Sequence, residues 1–182
     1  HHHHHATTSY SNTTRYLSLL RLQNEWRIIR EVQTATSVTS FSPLVEQTIQ
    51  EYLHVEHGGG ADDEQRATRL FHPQANLTCV GMSDADAEAS AWSALAGDYL
   101  EISLDTYMRG VAEQTPHSAA AASQDAIVSL DVTGNAAAAV VRVGNGAQTL
   151  VFEDVLLLGR AANGGYQILS KTFSPQTWPT DS

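Results

Sequence analysis

The stretch from Asp125 to Phe173 constrains the fold most. It reads "DAIVSLDV", "TGN", "AAAAVVRV", "GNG", "QTLVFEDVLLLGR", "ANGG" and "YQILSKTF": four strand-like runs separated by short glycine-bearing turns. Two of the turns contain Asn-Gly, at 145–146 and 163–164. That dipeptide accepts the positive φ angles of tight hairpin turns. Connections this short join only antiparallel neighbours, so the four runs predict a meander. Pro175 and Pro179 follow. A residue with no N–H cannot extend a ladder, which predicts that pairing stops there.

Helical signals lie upstream. Ser42 offers a cap and Pro43 suits a first turn. Val45, Ile49, Tyr52, Leu53 and Glu56 then recur at helical spacing, only the last of them polar. "HGGG" at 57–60 ends that helix. A second, short helix starts at "DDEQ", where Asp62 and Gln65 have capping-box spacing, and Ala67, Leu70 and Phe71 form its buried stripe. "FHPQANLTCVG" (71–81) leaves the helix at Pro73 and becomes a strand. Residues 83–97, acidic and alanine-rich, read as a flexible excursion or as a short helix carrying Trp92 into a mouth or an interface. "DYLEIS" (98–103) is a brief strand, Ser103 caps a helix through "LDTYMRGVAEQ", and 116–123 is loop. Helices segregated from strands predict α+β. A long, twisted antiparallel sheet with helices on one face curls round them into a cone open at one end.

The chain also carries an echo. "YLSLLRLQNEWRII" begins at Tyr16 and "DVLLLGRAANGGYQIL" at Asp154. Leu17, Leu19 and Leu20 correspond to Val155, Leu157 and Leu158. Trp26, Ile28 and Ile29 correspond to Tyr166, Ile168 and Leu169. Residues 14–33 therefore read as an extra β-hairpin, with Trp26, Ile28 and Val32 on one face of its return strand. Three origins are open: the end of a truncated tandem copy, an appended hairpin pairing with the sheet of its own or a neighbouring molecule, or the generic likeness of amphipathic hairpins. Around it, residues 1–5 are a tag remnant, 34–41 a linker, 42–174 the main domain and 175–182 a tail.

Composition narrows the partners. With 20 acids against 10 bases the formal net charge is −10, which repels phosphate backbones and anionic bilayers, so neither nucleic acid nor membrane is expected. No apolar run approaches the roughly 18 residues a membrane span requires. Cys79 is the one cysteine, so no internal disulfide forms, and a reducing, cytoplasmic setting is expected. Outside the tag, His54, His57, His72 and His117 are too scattered for a metal site. No glycine-rich phosphate loop and no nucleophile elbow is present. No cofactor or metal is expected.

Three phrases, in order, carry a resemblance. They are "VEQTIQEYLHVEHGGGADDEQRATRLFHPQANL", "YLEISLDTYMRGV" and the closing meander from "IVSLDVTGN" to "QILSKTF". Over about 43–174 the chain resembles the nuclear-transport-factor-2-like, or SnoaL-like, cone superfamily, and within it the group labelled "Putative lumazine-binding". The resemblance implies a curved antiparallel sheet wrapped round two to three helices, a homodimer formed through the outer sheet face, and an apolar pocket for a small apolar or aromatic ligand. It implies a pocket lined by the first helix, the strand after "FHPQA" and the inward faces of the meander. Tyr52, His72, Cys79, Tyr99, Tyr107, Met108 and Asp154 are the candidate lining residues. Ketosteroid isomerases of this fold place an acidic general base a few residues past the alanine of that phrase. Here that position is Cys79, a thiol, which counts against isomerase-type chemistry and suits a small buried apolar residue.

Each candidate has a plainer reading. Tyr52, Tyr99, Tyr107 and Met108 serve equally as core packing, and His72 as a hydrogen-bonding clamp on the turn before Pro73. Glu153 and Asp154 are adjacent on a strand, so one of them faces inward. An inward carboxylate in apolar surroundings has a raised pKa and can act as acid or base, though pairing at the rim is the plainer role. Whether the chain is an enzyme is thus left open. The leading expectation is a small-molecule-binding domain. The alternatives are an isomerase, dehydratase or cyclase using Asp154 or Glu153, and a non-catalytic protein-interaction module.

Overall fold

The computed structural model describes residues 13–22, 25–35, 42–58, 60–81, 99–113, 116, 119–145 and 150–177. The meander forms as its turns predict. Strands β5 (Ala126–Thr133), β6 (Ala136–Asn145), β7 (Leu150–Arg160) and β8 (Tyr166–Thr177) pair antiparallel in sequence order. Gly134 and Gly164 hold φ of 57° and 87° in the first and last turns, a region open to glycine without strain. Strand β3 (Phe71–Val80) lies parallel to β8, and β4 (Tyr99–Ile102) pairs antiparallel at its far edge. The six-stranded order is β4-β3-β8-β7-β6-β5.

Helices α1 (Ser42–His57), α2 (Asp63–Leu70) and α3 (Leu104–Glu113) pack on one face. Val45, Ile49 and Tyr52 of α1 meet Ala137, Ala139 and Val141 of β6, Leu156 and Leu158 of β7, and Ile168 of β8 in one buried cluster. The period of 3.6 on the helix and of 2 on the strands supplies these apolar faces. Gly58, with φ of 69°, terminates α1, its N–H donating to the Val55 carbonyl. Ser103 caps α3, its Oγ accepting the Thr106 N–H at 3.1 Å.

Several expectations change. Residues 119–122 form a short helix, α4, inside the stretch read as loop. Helix α2 ends at Leu70, before Pro73, because Phe71 is already extended. The capping box is absent: the Asp62 carboxylate accepts from Arg66 Nε at 3.0 Å instead of bonding the helix N-terminus. Pro175 does not stop β8, which pairs on through Phe152↔Pro175 to Leu150↔Thr177. The partners of β3 end at Phe173, so beyond it β8 has one unladdered side, where a proline is tolerated. Residues 83–97 with Trp92, the 36–41 part of the linker, His117 and Pro179 lie outside the described residues.

The N-terminal hairpin is real: β1 (Thr13–Leu22) pairs with β2 (Glu25–Ala35) as a separate two-stranded sheet. It does not extend the six-stranded sheet by edge pairing; it lies face-on against the outer surface. Tyr16 packs with Ala136 and Leu157 and donates its hydroxyl to Thr133 Oγ1 at 2.8 Å, while Ser18 Oγ and Thr172 Oγ1 share a hydrogen bond of 3.0 Å. Val32 joins the Tyr16 face, not the face of Trp26 and Ile28. A bulge between Ser18 and Leu19 inserts Ile29 into β2 and inverts the alternation beyond it. Leu17, Leu19, Trp26 and Ile28 are left 41%, 46%, 66% and 60% exposed.

Candidate functional site

Glu153 and Asp154 part company. Glu153 is half-exposed and accepts from Arg142 Nη2 at 3.3 Å across the β6–β7 pair. Asp154 is buried and shares the inward face of β7 with Phe152, Leu156 and Leu158. Its Oδ2 accepts the hydroxyl of Tyr52, from α1, at 2.5 Å. One helical turn on, Glu56 accepts at Oε1 from the Tyr107 hydroxyl of α3, at 2.6 Å, and from Lys171 Nζ of β8, at 2.7 Å. The same ammonium is 3.8 Å from Asp154 Oδ2. Its nitrogen lies 5.1, 4.9 and 4.9 Å from the ring centres of Tyr52, Tyr107 and Phe173, within cation–π range. Phe71 packs against Tyr107 with ring centres 5.0 Å apart and edge-on to Tyr52 at 6.3 Å, fixing both rings. Asp154 Oδ1, also buried, has no hydrogen-bond partner.

The electrostatics follow from burial. Loss of hydration drives the Asp154 carboxyl up, the Lys171 charge opposes that, the Glu56 charge adds to it, and the net value is about 6. Burial also penalises charged Glu56, but the Lys171 ammonium and the hydrogen bonds from Lys171 and Tyr107 outweigh it and hold the carboxyl below its ordinary value. Lys171 titrates above its ordinary value, because the two carboxylates more than offset its own desolvation. Burial pushes both tyrosine hydroxyls well up, so Tyr52 and Tyr107 act as donors. Cys79 faces the same charges from β3, and burial pushes its thiol up to about 12. A thiol that resists ionisation is a poor nucleophile or base.

The other sequence candidates lie apart. His72 stands at the start of β3, its Nδ1 accepting the Gln74 N–H at 3.1 Å, which fixes the turn around Pro73. Tyr99 is on the edge strand β4 and exposed. Met108 is half-buried against the core. The interior is therefore not uniformly apolar: beside the aliphatic core stands a group of two carboxylates, two phenols and an ammonium. Elsewhere, His57 Nε2 bonds Asp125 Oδ2, and Asp125 Oδ1 accepts the Gly144 N–H at 3.1 Å. This pair borders an open groove of about 590 Å³ together with His54, Gln50 and Leu53. Among the described residues no cluster of three or more histidine, cysteine or acidic side chains is placed to hold a metal. None of the described helices is long and apolar enough to cross a membrane.

Comparison with known proteins accords with this architecture. The model of the family described as "Putative lumazine-binding" matches residues 42–174. The chain belongs to this family. No curated protein matches it. Solved structures share the fold: an NTF-2 like protein of unknown function from Silicibacter pomeroyi DSS-3 is 17% identical, with 74% of this chain and 95% of that one covered at a TM-score of 0.54. An NTF2-like protein of unknown function from Shewanella baltica OS155 is 18% identical over 79% of this chain and all of its own (100%), at 0.54. A third, from Methylobacillus flagellatus KT, is 19% identical over 79% and 100%, at 0.55. Likeness at this level of identity concerns the fold alone.

Cys79, the position that the resemblance to cone-fold isomerases singles out for a base, is a thiol that burial keeps from ionising. The carboxylate instead comes from β7. Glu56 and Lys171 complete the polar group, and sequence reading did not single out either as a site. Glu56 did leave a trace, as the polar member of the α1 stripe one turn after Tyr52. Lys171 was concealed, because a bulge between Ser170 and Ile168 brings it to the inward face out of phase with Tyr166 and Ile168.

Proposed function

We propose that this protein is a small-molecule receptacle whose ligand is anchored inside the cone at Asp154. The observation that carries the reading is the division of labour on that carboxylate. Oδ2 is engaged by Tyr52, while the equally buried Oδ1 lacks a partner. Buried polar atoms are as a rule hydrogen-bonded, so this oxygen is expected to take a partner, a ligand donor in the present reading. Tyr52, Tyr107 and Phe173 add flat apolar surface around it, which suits an aromatic or other planar ligand. The family description points to a pteridine such as lumazine as a first probe. The test is a fragment screen by protein-observed NMR that includes lumazine, run on the native chain and on Asp154→Asn. Binders that perturb α1, β7 and β8 and lose affinity in the variant support the reading. Binders confined to the outer surface, or none at all, refute it.

A second reading is favoured by the Asp154 carboxyl near 6, a value suited to taking and returning a proton at neutral pH. In this reading Asp154 moves the proton, and the Tyr52 and Tyr107 hydroxyls would have to turn from Asp154 and Glu56 to donate to an oxygen that gains charge. Deuterium uptake at the α-carbon of cyclohexanone in heavy water, lost in Asp154→Asn, would support proton transfer; uptake no faster than in buffer would remove it. We also propose a homodimer, which has to form with the hairpin occupying part of the outer sheet face.

A further inference from the structure

We infer that the cone interior recognises its ligand through a positively charged or N–H-bearing nitrogen offered to Asp154 Oδ1, and that it rejects carboxylate and phosphate groups. The inference rests on the receptacle reading above and adds the chemical class of the ligand. Three observations carry it. The polar group contains two carboxylates and a single ammonium, and that ammonium is already engaged by Glu56 at 2.7 Å and lies 3.8 Å from Asp154 Oδ2. An entering anion would meet surplus negative charge with no unengaged cation among the described residues of the group. An ionised carboxylate oxygen can only accept a hydrogen bond, so the partner that completes Asp154 Oδ1 has to be a donor. Finally, three ring faces surround the Lys171 nitrogen at 4.9–5.1 Å, so the spot already stabilises one cation.

The ionisation of Asp154 gates this recognition. Tyr52 and Glu56 face it from α1, Tyr107 from α3, Cys79 from β3 and Lys171 from β8, with Asp125 ahead of β5 adding negative charge. With the carboxyl near 6, Oδ1 is an acceptor at neutral pH and becomes protonated in mild acid. Cation affinity therefore rises with pH through that value.

The test uses three planar probes of one shape, benzamidine, benzamide and benzoate. Binding is measured on the whole chain by calorimetry and thermal shift at about pH 7.5 and about pH 5. Benzamidine is expected to bind at the higher pH and about tenfold more weakly at the lower, following the ionised fraction of Asp154. Benzoate is expected not to bind. Asp154→Asn should abolish the benzamidine response. Should that variant not fold, Tyr52→Phe decides instead: removing the hydroxyl that lowers the carboxyl should move the pH midpoint of benzamidine binding upward. Benzoate binding as well as benzamidine does, or benzamidine affinity independent of pH, overturns the inference. Benzamide, whose amide N–H can also complete Oδ1, is expected to bind more weakly than benzamidine and to depend on Asp154. If benzoate binds in an Asp154-dependent way, the receptacle reading survives alone. Silence from all three probes counts against both.

Discussion

Asp154 and Glu56 make opposite demands on stability. The Asp154 carboxyl titrates near 6 in the folded chain against an ordinary 3.8, so between those values the native state holds the extra proton. Its contribution is complete below the ordinary value and is lost as pH rises through 6, by about 2–3 kcal/mol at most. Glu56 runs the other way: its lowered carboxyl contributes at neutral pH, and that contribution disappears as pH falls through its folded value. Asp154→Asn should therefore gain on the native chain as pH rises from about 4 to about 7 in urea titrations. A stability difference that stays constant over that range would show that Asp154 does not titrate as described. Lys171→Met leaves two buried carboxylates facing each other and should cost about 3–5 kcal/mol, with most of the loss recovered in the Lys171→Met, Glu56→Gln double variant. Additive losses in the double variant would mean that the pair is not coupled.

Among elements, alternation and turn chemistry were legible. The meander, the polarity of α1 and the Ser103 cap all follow from residue spacing, because each rests on neighbours close in sequence. What failed rests on bulges and long-range partners. One bulge in β2 moved Val32 away from Trp26, and another in β8 turned Lys171 inward. Neither leaves a mark that alternation alone can read. Asp62 chose Arg66 over the helix N-terminus, a competition between local hydrogen bonds that capping-box spacing cannot decide. The hairpin itself yields a prediction. An isolated pair of strands is marginal in water, so β1 and β2 depend on the docked face at Tyr16 and Ser18. Tyr16→Ala should speed amide exchange across β1 and β2 while leaving β7 and β8 protected. Equal acceleration in both sheets would show that the hairpin and the cone open as one unit.

For the whole molecule the decisive fact is how the two clusters of buried side chains divide. The main cluster draws on α1, α2, α3 and β3 to β8 and includes no residue of the hairpin. The second, built on Tyr16, Ala136 and Leu157, is the joint between hairpin and cone. The family match begins at residue 42, downstream of that joint. Cooperativity in a domain comes from its shared core, so a chain lacking residues 1–35 should still unfold in one transition. Its midpoint should fall by several degrees, because the joint contributes one buried aromatic, two side-chain hydrogen bonds and the cover over Leu157, together about 2–4 kcal/mol. Calorimetry and near-ultraviolet circular dichroism read this directly. A broad, non-cooperative transition would mean that the cone does not hold together without its second hairpin. In that case the echo at 14–33 is a structural part of the domain. A sharp transition, with the response of Asp154 to pH preserved, would place the polar group wholly within the cone and leave the hairpin as an attachment on its back.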